Sequence, residues 1–496
     1  MKDVATPYEA LIAHDRETQA LAQIAGRLGW DQETVMPRGA APQRAEEMGA
    51  LEHVIHSRRT DPRVGEWLSA IEEGTLDEVG RAHLRHIRRS FERKTRIPAA
   101  LAGELARVTS EAQGQWAKAR ADDDFQSFKP VLENILRLKR EEAEALADGG
   151  DLYDALLEDY EPGATGAELQ AMFDALRPRL VTLRDACMGA AQQPATLEGR
   201  FDERKQMKLA RELARTFGYD MSHGRLDRAV HPFSSGSGLD VRITTRTSDV
   251  DPFNCFYSTI HEVGHACYEQ NIDRAYLMSP LGQGVSMGVH ESQSRIYENQ
   301  LGRSAAFTGW LHGRMTEVFG PLSVTSPEAF FGAVNKLHPG YIRTEADEVQ
   351  YNLHVMLRFD LERQMLAGNL AVADLEEAWN ARFEADFGVT VDKPSNGCLQ
   401  DVHWAVGLIG YFPTYSLGNV YAGCLHQALR ADMPELDEKL AAGDVASVTT
   451  WLADKVQRHG GLHEPKQVIE RATGAPVSVA PFLDYLEAKF GAIYRL

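Results

Sequence analysis

The sequence predicts a mainly α-helical protein with one small β-sheet, and three observations predict it. Most of the chain places apolar residues at helical spacing within stretches rich in Ala, Leu, Glu and Arg. One long stretch, Ser222 to Ser248, interrupts helix with Pro232 and Gly236-Ser237-Gly238. Inside it, Asp240 to Arg246 alternates apolar with polar and β-branched residues, the pattern of a short strand.

In chain order, helical periods run from Pro7 to Trp30, Pro42 to Ser57, Asp77 to Lys94 and Phe128 to Ala147. Gly149-Gly150 and Glu161-Pro162-Gly163 punctuate the chain, and Thr165 to Met188 resumes the helical period. After the strand, Asp251 is placed to cap a helix whose first position is Pro252. That helix runs from Phe253 to Gln270 with Gly264 as its sole breaker, and Asn271 is a plausible stop. A second helix is expected from His290, after a glycine-containing loop from Ser279 to Gly288. Thr344 and Asp347 resemble a capping pair for a further long helix. No fixed-period repeat or linker is visible, so residues 1–496 are expected to form a single domain.

Composition narrows the function classes. At 43% hydrophobic and 25% charged, 496 residues suffice for a large buried core. The formal net charge of −19 argues against nucleic acid or an anionic membrane as the main partner. The start, Met1 to Pro7, has no apolar run of the secretory kind, and no stretch approaches a membrane span. Five scattered cysteines, none in a Cys-x-x-Cys pair, predict buried thiols in a reducing cytoplasm rather than a disulfide framework.

The chemistry concentrates in His261-Glu262-x-x-His265. Residues four apart share a helix face, so both imidazoles can reach one metal ion. Glu262, beside the first ligand, can then serve as a general base toward water. By composition the motif arises by chance in about one chain in twenty of this length, so the capped helix around it matters. A hydrolytic zinc site takes three protein ligands. Glu291 is the preferred third, with His290 a competing candidate, and Glu298 lies seven residues on along the same helix face.

Three further clusters are candidates for the surroundings of the metal. A strand would put Asp240, Arg242 and Thr244 on one face, either as a solvated edge or as a substrate-aligning wall with a cation. Arg343 gains nothing from the helix dipole expected after it, which sets it apart from its neighbours. His403, Tyr411 and Tyr415 are donors that could stabilise negative charge on a carbonyl oxygen.

Taken together, HEVGH at 261–265, HESQS at 290–294, DVRIT at 240–244, IRTEAD at 342–347 and GCLQDVHW at 397–404 resemble the carboxypeptidase Taq family of zinc metallocarboxypeptidases. WDQETVMP at 30–37, YDALLEDYEPG at 153–163 and GRLDRAVHPF at 224–233 extend the resemblance over almost the whole chain. It implies a mainly α-helical metallopeptidase domain with a deep central cleft, usually a homodimer, that removes single residues from peptide C-termini. Residues 1–150 would cover one end of the cleft, and 151–496 would form the catalytic core. His261, His265 and Glu291 would be the metal ligands and Glu262 the proton shuttle. Arg242 and Arg343 would anchor the substrate's terminal carboxylate, since guanidinium binds carboxylates bidentately. His403 and Tyr415 would contact the oxyanion and substrate, with Tyr411 nearby. The expected metal is Zn2+, for which Co2+ can substitute in relatives.

Two other readings remain open from the residues. One is a zinc oligopeptidase cutting internally with the same metal core. The other is a non-catalytic helical scaffold with a structural zinc, which an intact Glu262 disfavours because a structural site needs no base.

Overall fold

The computed structural model describes residues 6–496. Among these residues the chain forms twenty α-helices and one three-stranded sheet. The first helices are α1 (Pro7–Thr34), α2 (Ala41–Arg59), α3 (Pro62–Ala70), α4 (Glu78–Arg96), α5 (Ala99–Ala121) and α6 (Phe125–Ala147). Next come α7 (Leu152–Leu157), α8 (Gly166–Gly189) and α9 (Glu203–Thr216). The expected starts hold because local caps set them: Thr6 forms a capping box with Glu9, Asp77 accepts from Gly80 N–H, and Thr165 accepts from Glu168 N–H. α6 begins at Phe125, ahead of the expected Phe128, because Asp124 caps it through Ser127 N–H.

The sheet consists of β1 (Leu226–Arg228), β2 (Ser234–Ser237) and β3 (Asp240–Thr245), in the order β1-β3-β2. β3 pairs parallel to β1 and antiparallel to β2, with Ser235 opposite Arg242. Val241 and Ile243 on β3 are fully buried. Thr245 Oγ1 donates to the Cys255 carbonyl at 2.9 Å, tying the strand to the helix that follows.

That helix is α10 (Pro252–Asn271), whose N-cap Asp251 accepts from Phe253 and Asn254 N–H. α11 (Met287–Arg295) starts ahead of the expected His290, because Ser286 caps it through Val289 N–H, and it runs into a π-helical turn over Ile296–Gly302. α12 (Ala305–Phe319), α13 (Pro327–Val334), α14 (Gln350–Leu366), α15 (Leu375–Phe387) and α16 (Pro413–Asp432) follow. α17 (Leu436–Ala441), α18 (Ala446–Lys455), α19 (Pro465–Thr473) and α20 (Ala480–Tyr494) close the chain. Of the expected capping pair for α14, Asp347 alone acts, accepting from Val349 and Gln350 N–H at 3.0 Å each.

One continuous apolar core runs from Ala119 to Tyr494, while Leu11, Val64, Leu68, Leu84 and Ile87 form a small separate cluster among the first four helices. α14 is buried almost all round, as befits a central helix. Its polar stripe, His354, Arg358 and Glu362, is buried too. Arg358 pairs with Asp401 at 2.5 Å, and Glu362 accepts from Trp404 Nε1 at 2.7 Å and Gly410 N–H at 3.2 Å. In this way α14 fastens the loop between α15 and α16 from inside the protein. All five cysteines are free and buried, and among the described residues no helix is long and apolar enough to cross a membrane.

Candidate metal centre

α10 and α11 touch backbone to backbone beside the two histidines. A Cβ on Gly264 would lie 2.5 Å from the Gln293 carbonyl oxygen and 2.6 Å from Ser294 Cα. The lone glycine of the helix is therefore what admits α11 at that distance. On the other side α16 closes in through Gly418, whose missing Cβ leaves room for the Glu291 side chain. Glu291 is delivered by these contacts to His265, with Oε2 3.5 Å from Nε2.

The potential ligand atoms of His261, His265 and Glu291 lie within 4.8 Å of one another. Tetrahedral zinc with bonds near 2.1 Å sets its donors about 3.4 Å apart, so the His265–Glu291 separation fits such an ion as it stands. Two of the donors, His265 and Glu291, are also in the right form. Burial pushes His265 down to about 3, which leaves its imidazole neutral. Burial opposes charge on Glu291, yet Arg295 and the two histidines hold its carboxyl well below the usual range. Two imidazoles and one ionised carboxylate suit a divalent transition ion.

Each of the three candidate ligands has a partner behind it. His261 Nδ1 lies 2.9 Å from Glu298 Oε2. Arg295 Nε donates to Glu291 Oε1 at 2.6 Å and stacks on the Tyr351 ring at 4.2 Å. His265 Nδ1 meets His290 Nδ1 at 2.6 Å. Arg303 in turn donates to Glu298 at 3.0 Å.

A cavity of about 490 Å³ opens over this cluster, and His261, Glu262, Glu291, Arg295, Arg343 and Tyr415 are among its walls. Glu262 is buried there, and burial pushes its carboxyl up to about 7, with Glu291 and Glu298 adding to the rise and His261 opposing it. A carboxyl poised near neutrality can both take and return a proton.

The other candidates are placed as follows. Arg343 is buried against the cavity, its Nε and Nη2 donating to Asp401 at 3.2 and 2.9 Å and its Nη1 to Tyr351 Oη at 3.0 Å. Arg242 is not among the cavity walls. Its guanidinium grips Asp240 at 2.7 and 2.9 Å and lies 4.6 Å from the Trp30 ring, which also faces Arg225 at 4.9 Å. Asp240 also accepts from Arg27 at 2.9 Å, so α1 and β3 are joined there. Thr244, expected on the same face, is buried and bonded to the Phe233 backbone. Tyr415 lines the cavity, whereas His403 and Tyr411 pack on Tyr415 without lining it; His403 Nε2 lies 3.3 Å from Tyr415 Oη. Burial pushes His403 down to about 3 and Tyr411 up to about 12.

Sequence reasoning missed Arg295, Arg303, Asp401 and Glu269 as parts of this site. Arg295 and Glu269 each follow a ligand by four residues, a spacing that places them on the ligand's helix face.

Residues 10–490 match the profile of the family described as Carboxypeptidase Taq (M32) metallopeptidase. The chain is 42% identical over 504 residues to thermostable carboxypeptidase 1 of Thermus thermophilus, covering 98% of this chain and 99% of that relative. It is similar to the crystal structure of a carboxypeptidase from Deinococcus radiodurans, with a TM-score of 0.95 and 39% identity over 99% of this chain and 100% of that one. Trypanosoma cruzi metallocarboxypeptidase 1 gives a TM-score of 0.94 at 32% identity, over 98% and 99% of the two chains. With the metal-ligand cluster, the fold and near end-to-end matches all in agreement, the chain belongs to the carboxypeptidase Taq metallopeptidase family.

Proposed function

We propose that this protein is a zinc-dependent carboxypeptidase that releases single amino acids from the free C-termini of peptides. The observation that carries the reading is the meeting of His261, His265 and Glu291 within 4.8 Å, in a cavity that Glu262 also lines. His261, His265 and Glu291 would hold the zinc ion, which when bound would supply Lewis acidity and lower the pKa of a water toward neutrality. Glu262 takes a proton from the water as its oxygen bonds to the scissile carbonyl carbon. The carbon–nitrogen bond then breaks, and Glu262 returns the proton to the departing amine. Tyr415 is the donor for the oxyanion. His403, by donating its Nε2–H to Tyr415 Oη, would free the phenolic proton for that task.

Arg343, one of several cations in the cavity wall, is the candidate anchor for the terminal carboxylate. Asp401 and Tyr351 hold its fork rigid and leave one N–H on each terminal nitrogen for a ligand. Arg242 would add to the anchor only after exchanging Asp240 for the substrate. The helices of residues 1–150 would limit entry to unfolded peptides. Free buried thiols fit a reducing cytoplasm, and a homodimer is the expected assembly.

Mass spectrometry of one unstructured peptide, as free acid and as C-terminal amide, tests the reading. Loss of single C-terminal residues from the free acid alone is expected. Internal cuts in both forms would make the protein an endopeptidase and remove the carboxylate anchor from the account.

A further inference from the structure

Glu269 follows His265 by four residues and so extends the His261–His265 stripe of α10 by one turn. His290, at the start of α11, bridges the two. Its Nδ1 lies 2.6 Å from His265 Nδ1, and its Nε2 lies 2.9 Å from Glu269 Oε1. Both nitrogens of His290 are thus committed, which removes it as a competing metal ligand.

One arrangement of protons satisfies the whole chain of contacts. With His265 Nε2 presented to a metal, its single N–H is at Nδ1 and must point at His290. His290 Nδ1 then offers a lone pair, so its own N–H is at Nε2 and donates to Glu269 Oε1. That oxygen also accepts the Gly284 N–H at 2.9 Å, so it meets two donors. The same loop is held by Tyr268, whose Oη accepts the Val285 N–H at 3.2 Å and whose ring lies 5.2 Å from the imidazole of His290. His290 is therefore clamped between the loop and α10 in an orientation that admits a single tautomer.

We infer that Glu269 and His290 are positioning residues that together fix the tautomer and ring orientation of His265. This rests on the metal-centre reading above. The two histidine ligands are then unequal. His261 is backed directly by the Glu298 carboxylate, whereas His265 is backed by an imidazole that relays the influence of Glu269. Partners of this kind raise the basicity of a ligating histidine and hold its ring, and their loss weakens metal binding about 10–100-fold.

The test uses full-length protein stripped of metal, with zinc affinity measured by competition with a chelator and the visible spectrum of the cobalt form recorded alongside. Two variants are compared with wild type. His290→Phe keeps a ring but removes both nitrogens, and Glu269→Gln keeps an acceptor but removes the charge. A 10–100-fold loss of zinc affinity is expected for His290→Phe. A smaller loss in the same direction is expected for Glu269→Gln, with a shifted cobalt spectrum in both and unchanged melting of the metal-free protein. Should His290→Phe fail to fold, Glu269→Gln decides alone. Wild-type zinc affinity and cobalt spectrum in a folded variant would overturn the relay. Failure of the wild-type protein itself to bind zinc would instead overturn the metal-centre reading on which the relay rests.

Discussion

His261 Nδ1 lies 2.9 Å from Glu298 Oε2, and this contact settles which ring nitrogen is left for a metal. Glu298 is itself fixed by Arg303 at 3.0 Å, and its carboxyl is held far below the ordinary range despite burial, by the His261 hydrogen bond and by Arg303. Glu298→Ala should therefore lower zinc affinity about 10–100-fold, measurable by chelator competition.

Arg295 is the counter-ion of a buried acidic pair, with Glu291 2.6 Å and Glu298 3.5 Å away. Arg295→Met would leave Glu291 without its arginine and Glu298 with Arg303 alone. Removing one partner of a buried ion pair costs about 3–5 kcal/mol. A divalent ion replaces part of the missing positive charge. Thermal unfolding with and without zinc should accordingly show a large loss of stability in the metal-free variant and a zinc-induced rise in Tm greater than that of wild type. Equal loss in both states would mean that Arg295 acts through packing alone.

Gly264→Ala tests the close approach of α10 and α11. The new methyl would press on the Gln293 carbonyl, which is backbone and cannot swing aside. Overpacking of this kind costs about 1–3 kcal/mol. Because relief comes from moving α11, which carries Glu291, zinc affinity should fall together with stability.

Two buried carboxyls outside the metal centre set a pH dependence of stability. Burial pushes Glu161 and Glu362 up to about 7, against hydrogen bonds from Gly288 N–H and Tyr421 to the first and from Trp404, Gly410 N–H and Tyr153 to the second. A carboxyl with a raised folded-state pKa contributes stability that is present below its unfolded pKa and lost as pH rises through the folded one. The loss should run from about pH 4.5 to about pH 7 and reach up to roughly 3 kcal/mol per group. Glu362→Gln removes the titrating group but keeps one acceptor oxygen where two are used, so the variant should be less stable throughout, and its denaturant unfolding between pH 5 and 8 should show a flatter profile than wild type.

Much of the fold was legible because its signals are local. Asp251-Pro252 announces α10, the helical periods from Pro7, Asp77 and Thr165 announce α1, α4 and α8, and the alternation over Asp240 to Arg246 announces β3. The meeting of His261, His265 and Glu291 was legible in part for the same reason, since two of the three lie four residues apart on one helix face. What escaped depends on distant parts of the chain. Nothing near Arg242 reveals that Trp30, from α1, stacks on it. Arg358 and Glu362 on α14 carry no local signal of their role, yet they are buried and hold the loop that carries His403. Start positions shifted where a short polar residue capped a helix early, as Ser286 does for α11.

The most direct test of the account is peptide hydrolysis by zinc-loaded Glu262→Gln, with bound metal counted in the same sample. Three ligands that do not include Glu262 should still hold one zinc per chain, while turnover falls about 10²–10⁴-fold for want of the proton carrier. Wild-type turnover with zinc bound would contradict the role of Glu262 and with it the mechanism proposed for this site.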